Sequence, residues 1–266
     1  MILSSAEIIK YLKSKNSIDL SGKLFVYESI DSTSTTARKM ALGGAWGHRT
    51  VVIANHQTAG KGRYGKPFFS PADCGLYISF VLDFSKLFIS SPALITTYTA
   101  IMVCEVLEAL SGLSFKIKWV NDIYLDDKKV CGILTEAVTV PENPSSQWII
   151  LGIGINLITP DEGFPGELQQ IAGSVFKSGF SGDLKNRLAS KIISSVFSFE
   201  NPFDEKEKMQ LYKQKMFLLD ERIIVTASDN SYEAEAIDID ENGCLIVKKD
   251  NGKILTLSSG EISIRR

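Results

Sequence analysis

The stretch KWVNDIYLDDKKVCGILTE, residues 118–136, consists of two apolar arms on either side of a polar turn at 126–128. Apolar and β-branched residues that flank such a turn predict a β-hairpin. Asn121 and Asp122 interrupt the first arm beside Trp119, and burying them is unfavourable unless they are hydrogen-bonded or used by a ligand. Taken alone, the pattern is more typical of a surface hairpin with a solvated tip. A second motif upstream favours a functional site instead.

That second motif is a basic, glycine-rich loop, QTAGKGRYGK at 57–66. It follows TVVIA at 50–54, which predicts a buried strand. Three glycines within six positions let the backbone adopt positive φ and turn its N–H groups towards an anion. Lys61, Arg63 and Lys66 add positive charge, and arginine suits forked contacts with a carboxylate or phosphate. The loop therefore predicts an anion site, the alternative being a mobile basic loop without a ligand.

The same loop nearly matches a P-loop, because Gly60, Gly65 and Lys66 have the required spacing. Pro67 then stands where a P-loop needs a hydroxyl group and a backbone N–H. The chain continues into CGLYISFVL at 74–82, which predicts a strand, whereas a P-loop opens a helix whose N-terminus faces the phosphate. We therefore predict a strand–loop–strand element that closes over a small anionic ligand.

The composition is that of a globular protein with one large domain and one small domain. Of the 266 residues, 44% are hydrophobic and 23% are charged. A net charge of −2 argues against a nucleic-acid-binding protein, so no nucleic-acid partner is expected. The four cysteines form no CxxC pair and the chain has two histidines, so no zinc site is predicted and the thiols indicate a reducing compartment.

No membrane association is predicted from the sequence. The N-terminus lacks the basic start and the apolar run of a signal peptide. The longest apolar segment, residues 94–110, is interrupted by threonines, a tyrosine and two glutamates. Such a segment is typical of an amphipathic core helix rather than of a membrane span. We therefore expect a cytoplasmic protein.

The order of the predicted elements indicates an α+β fold in which a mixed β-sheet is flanked by helices. From residue 219 onwards, short alternating strands are separated by turn residues at regular spacing, which predicts a small, SH3-like all-β barrel. We therefore divide the chain into a large domain, 1–218, and a small C-terminal domain, 219–266. Helices are predicted from Ser4 and over 37–42, 91–111, 183–199 and 204–217, and strands over 24–30, 50–57, 75–83, 148–157, 222–226, 232–239, 244–248, 253–257 and within the hairpin of 115–138.

Two further segments each allow a structural and a ligand-binding interpretation. The hydroxyl groups of Ser32 and Thr33 lie where a strand meets a helix, so N-capping explains them, and capping does not prevent contact with a ligand. The segment GIGIN at 152–156 lacks the third glycine and the following helix of a dinucleotide-binding fingerprint. Its glycines either let a ligand approach the sheet or belong to an ordinary tight core strand.

Taken together, the motifs resemble those of the biotin protein ligases, which activate biotin as biotinyl-5′-AMP. The resemblance covers nearly the whole chain and rests on several motifs in consistent order. They are Ser32 and Thr33, Gln57, GKGRYGK at 60–66, KWVND at 118–122, Lys129, GILTE at 132–136, GIGIN at 152–156 and GEISIR at 260–265. The resemblance implies a biotin- and ATP-binding catalytic domain, with Mg²⁺ accompanying the triphosphate.

The resemblance also implies roles for the matching residues. Lys129 would neutralise the biotin carboxylate and the α-phosphate as they meet, and Arg63 would close over the adenylate with the glycine loop. Asp122 would orient or deprotonate the accepting lysine of a biotin carboxyl carrier domain. The implied biotin-binding residues are Ser32, Thr33, Ser34, Gln57, Gly60, Lys61, Gly62, Arg63 and Gly132. The implied ATP-binding residues are Lys61, Arg63, Phe68, Trp119, Asn121, Lys129 and Asn156, with Asn121 and Asp122 beside Mg²⁺.

The chain departs from the common family pattern at positions that the chemistry does not require. Lys61 and Tyr64 stand where arginine is usual, Val120 where proline is usual and Phe68 where tryptophan is frequent. Residues 1–23 leave room for one helix before the first predicted strand, so we expect no DNA-binding module. A homodimer is implied by resemblance alone. Two alternatives stay open, a lipoate ligase of the same fold and a non-catalytic regulator that binds biotinyl-AMP.

Overall fold

The computed structural model of the protein describes residues 3–16, 18–44, 47–140, 143–177, 183–227 and 230–264. In these residues the helices are α1 (Ser5–Asn16), α2 (Thr33–Leu42), α3 (Leu94–Ser111), α4 (Leu168–Ile171), α5 (Leu184–Phe197) and α6 (Glu205–Lys215). The strands are β1 (Leu24–Ile30), β2 (Thr50–Gln57), β3 (Gly75–Asp83), β4 (Lys116–Lys118), β5 (Asp122–Leu125), β6 (Lys128–Val140), β7 (Asn143–Asn156), β8 (Arg222–Ala227), β9 (Asn230–Ile239), β10 (Leu245–Lys248), β11 (Ile254–Leu257) and β12 (Glu261–Ile264).

The first seven strands form one sheet in the order β1-β2-β3-β7-β6-β5-β4. β1 and β2 are parallel and the other neighbours are antiparallel, so the predicted mixed sheet is confirmed. The predicted hairpin is β5–β6, and Asp126 adopts a positive φ of 53° in its turn. Helix α3 begins three residues later than predicted, because Leu94 N donates to Ser91 O (3.0 Å) in a preceding turn.

Side-chain alternation gives this sheet one face that is fully packed. In β3, Leu76, Ile78 and Phe80 point into a core that α1, α3, α5 and α6 cover. Helix α3 is long and apolar enough to cross a membrane by length and composition alone, but 67% of that stretch is buried inside the protein. Such burial is what the sequence predicted for a core helix.

The opposite face of the sheet is covered only in part. Helix α2 places Ala37 and Ala41 against Val52, Val81 and Ile150 in a separate apolar cluster. Ser32 caps this helix, accepting from Thr35 N at 3.4 Å, as one interpretation of its hydroxyl group predicted. Beyond α2, the same face carries the glycines of β6 and β7, and a cavity lies above them.

The last five strands form an antiparallel sheet in the order β11-β10-β9-β8-β12, so the small all-β unit predicted at the C-terminus is confirmed. Its apolar residues, including Val225 and Ile262, continue the core of the first sheet. Trp119 Nε1 donates to Gly243 O (2.9 Å) and joins the two sheets. Asp229, in one predicted turn, and Arg265, in the last family motif, lie outside the described residues.

Candidate functional site

A cavity of about 370 Å³ opens on the partly covered face of the first sheet. Its floor is formed by Gly132 of β6 with Gly152 and Gly154 of β7, and the glycine-rich loop lies over it. The loop runs through a short turn into β3 rather than into a helix, so the rejection of a P-loop is confirmed. The small sheet also contributes, through residues 260–262.

One end of the cavity is a network of hydroxyl and amide groups between α2, β2 and β3. Gln57 Oε1 accepts from Thr33 N (2.8 Å) and Thr33 Oγ1 (3.1 Å), and Gln57 Nε2 donates to Ser70 Oγ (2.8 Å). Ser79 Oγ donates to Thr33 Oγ1 (2.8 Å) and lies 3.0 Å from Ser34 Oγ. The buried groups are therefore oriented before a ligand arrives. Ser70 and Ser79 were not predicted as site residues, although a serine within the otherwise apolar strand β3, as Ser79 is, is a detectable signal.

Two predicted biotin-binding residues, Ser32 and Gly60, do not line the cavity. Ser32 is 1% exposed and serves as the cap of α2. A Cβ atom at Gly60 would lie 2.4 Å from Phe68 O and 2.6 Å from Ser70 Oγ, so glycine is required for close approach of two chain segments. The structure therefore gives both residues a supporting position, and their contact with biotin stays a prediction.

The aromatic ring of Phe68 is seated directly on the glycine floor. A Cβ atom at Gly154 would lie 2.6 Å from Phe68 Cε1, and one at Gly132 would lie 3.2 Å from Phe68 Cε2. Tyr77 meets the same ring edge-on, with ring centroids 6.4 Å apart. Gly152 makes room for Ser34 in the same way, since a Cβ atom there would lie 2.5 Å from Ser34 Oγ. These glycines thus admit protein side chains that shape the cavity.

The glycine-rich loop is fastened to both sheets. Arg63 Nη1 donates to Asn121 Oδ1 (3.1 Å), and Arg63 Nη2 donates to Tyr64 OH (3.0 Å). The Tyr64 hydroxyl in turn accepts from Gly260 N (3.1 Å). Lys66 Nζ lies 2.6 Å from Glu261 Oε1, on β12. Tyr64 and Glu261 were not predicted as site residues, because their partners are about two hundred positions away in the sequence.

The charged end of the cavity is built on β4, β5 and β6. Lys129 Nζ lies 2.7 Å from Asp122 Oδ1, and both side chains are largely shielded from solvent. Lys129 also lies close to the floor, because a Cβ atom at Gly132 would be 3.5 Å from Lys129 Nζ. Lys118 lines the same end, and its burial lowers the pKa of its ammonium group. Burial also raises the pKa of Tyr124, beside it, to about 12.

Trp119, Asn121 and Asn156 line the cavity but are also hydrogen-bonded within the protein. Trp119 is 4% exposed and its indole N–H is bound to Gly243 O. Asn121 Nδ2 donates to Ile133 O (2.9 Å), which leaves its oxygen for Arg63. Asn156 Nδ2 donates to Gly173 O (3.1 Å) and so holds the segment that carries Phe164, Leu168 and Ala172 against the cavity. Except for Ser32 and Gly60, every predicted site residue lines this one cavity.

The oxygen-bearing side chains of the cavity suit Mg²⁺ only when a bound ligand supplies most of the oxygen atoms that coordinate the ion. The described residues contain no group of three His, Cys, Asp or Glu side chains that could hold a metal ion. Asp122 offers one carboxylate, already paired with Lys129, and Asn121 Oδ1 already accepts from Arg63. Mg²⁺ in phosphate-transfer sites is commonly held by one or two carboxylates together with substrate phosphates. The residues present fit that mode of binding and not a resident metal cage.

The overall chemistry of the cavity favours a ligand with an apolar part and several negative charges. Five basic side chains and two carboxylates line it: Lys61, Arg63, Lys66, Lys118, Lys129, Asp122 and Glu261. This excess of positive charge lies within a partly enclosed space, where electrostatic attraction is stronger than in water. The aromatic and aliphatic residues on the floor and side provide the apolar part. Condensation of two anions is the kind of reaction that such a site can assist.

Comparison with known proteins gives consistent matches. Residues 26–156 match the biotin/lipoate A/B protein ligase family, and residues 218–265 match the biotin protein ligase C terminal domain. The bifunctional ligase/repressor BirA of Bacillus spizizenii is 30% identical, over 98% of this chain and 79% of the relative. The biotin--[acetyl-CoA-carboxylase] ligase of Mycobacterium tuberculosis is 24% identical, over 90% of this chain and 88% of the relative. The structure of biotin protein ligase from Aquifex aeolicus in complex with biotin and ATP has a TM-score of 0.73 and 25% identity, covering 92% of this chain and 99% of that one.

Proposed function

Since this chain belongs to the biotin protein ligase family, we propose that it activates biotin with ATP as biotinyl-5′-AMP and transfers biotin to a lysine of a biotin carboxyl carrier domain. The observation that carries this proposal is the position of Lys129, whose ammonium group lies in the cavity beneath the basic glycine-rich loop and beside Asp122. An ammonium group at that place can approach a carboxylate and a phosphate together. The match of residues 218–265 to the biotin protein ligase C terminal domain supports biotin over lipoate as the substrate.

In the first half-reaction, the cavity brings the biotin carboxylate to the α-phosphate of ATP. Thr33, Ser34 and Gln57 are the polar groups that can bind the ureido ring, with Gly62 and Gly132 beside the acyl chain. Lys129 and Arg63 then stabilise the negative charge that gathers at the reacting oxygens, an effect that contributes about 3–4 kcal/mol per donor in comparable sites. Phe68, Trp119 and Asn156 are assigned to the nucleotide. The loop over the cavity excludes water from the mixed anhydride.

Mg²⁺ would neutralise part of the triphosphate charge, and Asp122 and Asn121 are the residues that would hold it together with the phosphates. Neither residue is free in the described structure, since Asp122 forms an ion pair with Lys129 and Asn121 accepts a hydrogen bond from Arg63. The nucleotide would therefore draw Lys129 and Arg63 towards its own oxygens as the ion enters.

In the second half-reaction, the amine of the carrier lysine attacks the carbonyl carbon of the adenylate, and AMP leaves. The attacking amine has to lose a proton, and Asp122 is the carboxylate we assign to orient or accept it. Single-turnover transfer from preformed biotinyl-AMP should be about 100-fold slower or more in Asp122→Asn. Transfer at the normal rate in that variant would remove Asp122 from this role.

The decisive experiment supplies the protein with radiolabelled biotin, MgATP and a carrier domain. Wild-type protein should label the carrier, and Lys129→Gln should lower the initial rate about 100-fold or more. Lys128→Gln is the matched control, because Lys128 is the preceding residue and its ammonium group bonds to Gln169 O (3.2 Å) outside the cavity. Binding of biotinyl-AMP by a protein that neither forms it from biotin and ATP nor labels the carrier would indicate the non-catalytic regulator. Labelling with lipoate in place of biotin would indicate the lipoate ligase.

The remaining features of the assignment follow the family. We assign residues 1–218 to the catalytic domain and 219–266 to the C-terminal domain, and we expect a homodimer. The four cysteines are free thiols in the structure, which suits a reducing, cytoplasmic environment. Size-exclusion chromatography with light scattering would measure the oligomeric state.

A further inference from the structure

Lys118 lines the cavity, and among the described residues its ammonium group has neither an ion pair nor a hydrogen bond. Lys61 also lacks an ion pair but is exposed, and Arg63 donates hydrogen bonds to Asn121 and Tyr64. Lys118 lies on β4, within the first sheet, and its side chain is half-buried. Among the described residues, no carboxylate oxygen lies within 4.0 Å of Lys118 Nζ. Its ammonium group lies over the Tyr124 ring, whose centroid is 6.0 Å from Lys118 Nζ. A half-buried ammonium group without a partner is unfavourable unless an anion of another molecule binds it.

The neighbouring carboxylates are already engaged. Lys118 pairs with Asp122 in the register of β4 and β5, so both side chains lie on the cavity face of the sheet. Asp122 is held by Lys129 at 2.7 Å, and Glu261 is held by Lys66 at 2.6 Å. The pKa of Lys118 is lowered chiefly by burial, an effect that the charges of Asp122 and Glu261 oppose and those of Lys129 and Lys66 reinforce. The cavity has more basic than acidic side chains, so the anion that compensates Lys118 has to come from the ligand.

We propose that Lys118 is a catalytic residue of the first half-reaction, binding the β- and γ-phosphates of ATP and stabilising the pyrophosphate that leaves. This inference rests on the function proposed above. In that step a bond forms between a biotin carboxylate oxygen and the α-phosphorus. The bond from the α-phosphorus to the oxygen that bridges to the β-phosphate breaks, and pyrophosphate departs with the electron pair. No proton is transferred, so positive charge at the leaving group is what the protein can supply.

The position of Lys118 supports a role at the leaving pyrophosphate that is separate from the role of Lys129 at the α-phosphate. Lys129, on β6, is beside the floor of the cavity, where the acid and the α-phosphate would meet, whereas Lys118 lies two strands further out on β4. A rigid strand also holds a cation more precisely than the loop that carries Lys61 and Lys66. We therefore expect Lys118 to contribute to the formation of biotinyl-AMP, in which pyrophosphate leaves. We expect no contribution to the transfer of biotin to the carrier, which occurs after pyrophosphate has left.

The test separates the two half-reactions in Lys118→Met. Lys116→Met is the matched control, because Lys116 lies on the same strand, is exposed and does not line the cavity. Biotin-dependent exchange of labelled pyrophosphate into ATP should fall about 100-fold in Lys118→Met, equivalent to about 2.7 kcal/mol. Single-turnover transfer from preformed biotinyl-AMP should stay within about twofold of wild type. Lys118→Arg should recover part of the exchange rate, because it restores the charge.

A binding measurement gives a readout that does not depend on turnover. Pyrophosphate should inhibit or bind Lys118→Met about tenfold more weakly than wild type, while biotin affinity is unchanged. Equal losses in both half-reactions, or no loss in exchange, would overturn the inference. A wild-type protein that makes no biotinyl-AMP would instead refute the proposed function. Unfolding by urea checks the fold, and Lys118→Met should be at least as stable as wild type because an unpaired cation is replaced by an apolar side chain.

Discussion

Gly154→Ala adds a single methyl group to the floor of the cavity, and its effect can be worked out from the position of Phe68. The new Cβ atom would lie 2.6 Å from Phe68 Cε1, which is 0.8 Å inside the 3.4 Å at which ordinary contacts begin. Two more ring atoms would lie at 2.8 and 3.1 Å. The backbone of β7 cannot yield easily, because it is paired with β3 on one side and β6 on the other. The ring therefore has to move away from the sheet and into the cavity.

The size of the effect is the difference between two opposing contributions. Overpacking a well-packed site costs about 1–3 kcal/mol. Replacing glycine by alanine at a compatible backbone conformation stabilises by about 0.4–1 kcal/mol through the unfolded chain, and Gly154 is not among the described glycines with positive φ. We expect a net loss of about 1–2 kcal/mol in the free energy of unfolding. Gly132→Ala should lose less, because its Cβ atom would lie 3.2 Å from the same ring.

Urea unfolding and steady-state ligation measure the two consequences. The KM for biotin or ATP should rise in Gly154→Ala, since the displaced ring narrows the cavity. Phe68→Leu in the same protein should relieve the clash, so that Gly154→Ala costs less than about 0.5 kcal/mol in that background. If the two substitutions are additive, or if Gly132→Ala costs more than Gly154→Ala, contact with Phe68 is not the cause and the reasoning fails.

Three other predictions concern the frame around the cavity. Trp119→Phe should lower the free energy of unfolding by about 1–3 kcal/mol, because Gly243 O loses its hydrogen-bond donor. Urea unfolding measures this loss, with Trp148→Phe as the control. Burial lowers the pKa of His48 below its usual 6.5 in the folded protein, so the unfolded chain binds the proton more readily. The folded protein therefore loses stability as the pH falls below 6.5. The difference in unfolding free energy between pH 7 and pH 5.5 should be smaller in His48→Gln than in wild type. EDTA should abolish pyrophosphate exchange and leave the unfolding free energy unchanged, because the described residues form no resident metal site.

Much of the fold follows from local sequence, since periodicity and turn residues agree there. The predicted bounds of β1, β2 and β3 match the structure, where β-branched apolar runs end at polar or glycine residues. Strand β12 (Glu261–Ile264) was not predicted as a strand, because two apolar residues in four positions carry little periodic signal. Its conformation depends on pairing with β8, in which Glu261 faces Thr226. That pairing joins residues 35 positions apart, beyond the reach of a local pattern.

The candidate site was predictable as a set of residues but not as an arrangement. The two motifs at 57–66 and 118–136 are distant in sequence, and nothing local shows that Arg63 meets Asn121. The lysines of the second motif look alike in sequence, yet Lys129 is paired with Asp122 and Lys118 has no acidic partner among the described residues. Strand register alone does not predict this distinction either, because Lys118, and not Lys129, lies opposite Asp122 in the pairing of β4 with β5. The role of Phe68 as the occupant of the glycine floor depends on the pairing of Gly132 with Gly154 across β6 and β7.

The contacts that hold the glycine-rich loop over the cavity are individually weak. The Lys66 and Glu261 side chains are 65% and 44% exposed, so their ion pair contributes about 0–1 kcal/mol. The hydrogen bonds of Arg63 to Asn121 and of Gly260 to Tyr64 contribute about 0.5–1.5 kcal/mol each. Ordering each loop residue costs about 1–2 kcal/mol, so these contacts alone cannot keep a ten-residue glycine-rich segment closed. Closure has to draw on an anion that binds Lys61 and Arg63 more tightly in the closed state than in the open one. A basic loop therefore closes when the cavity holds an anionic ligand and opens after the product is released. An apolar loop would bury itself in the cavity without a ligand and would obstruct the exchange of substrate and product.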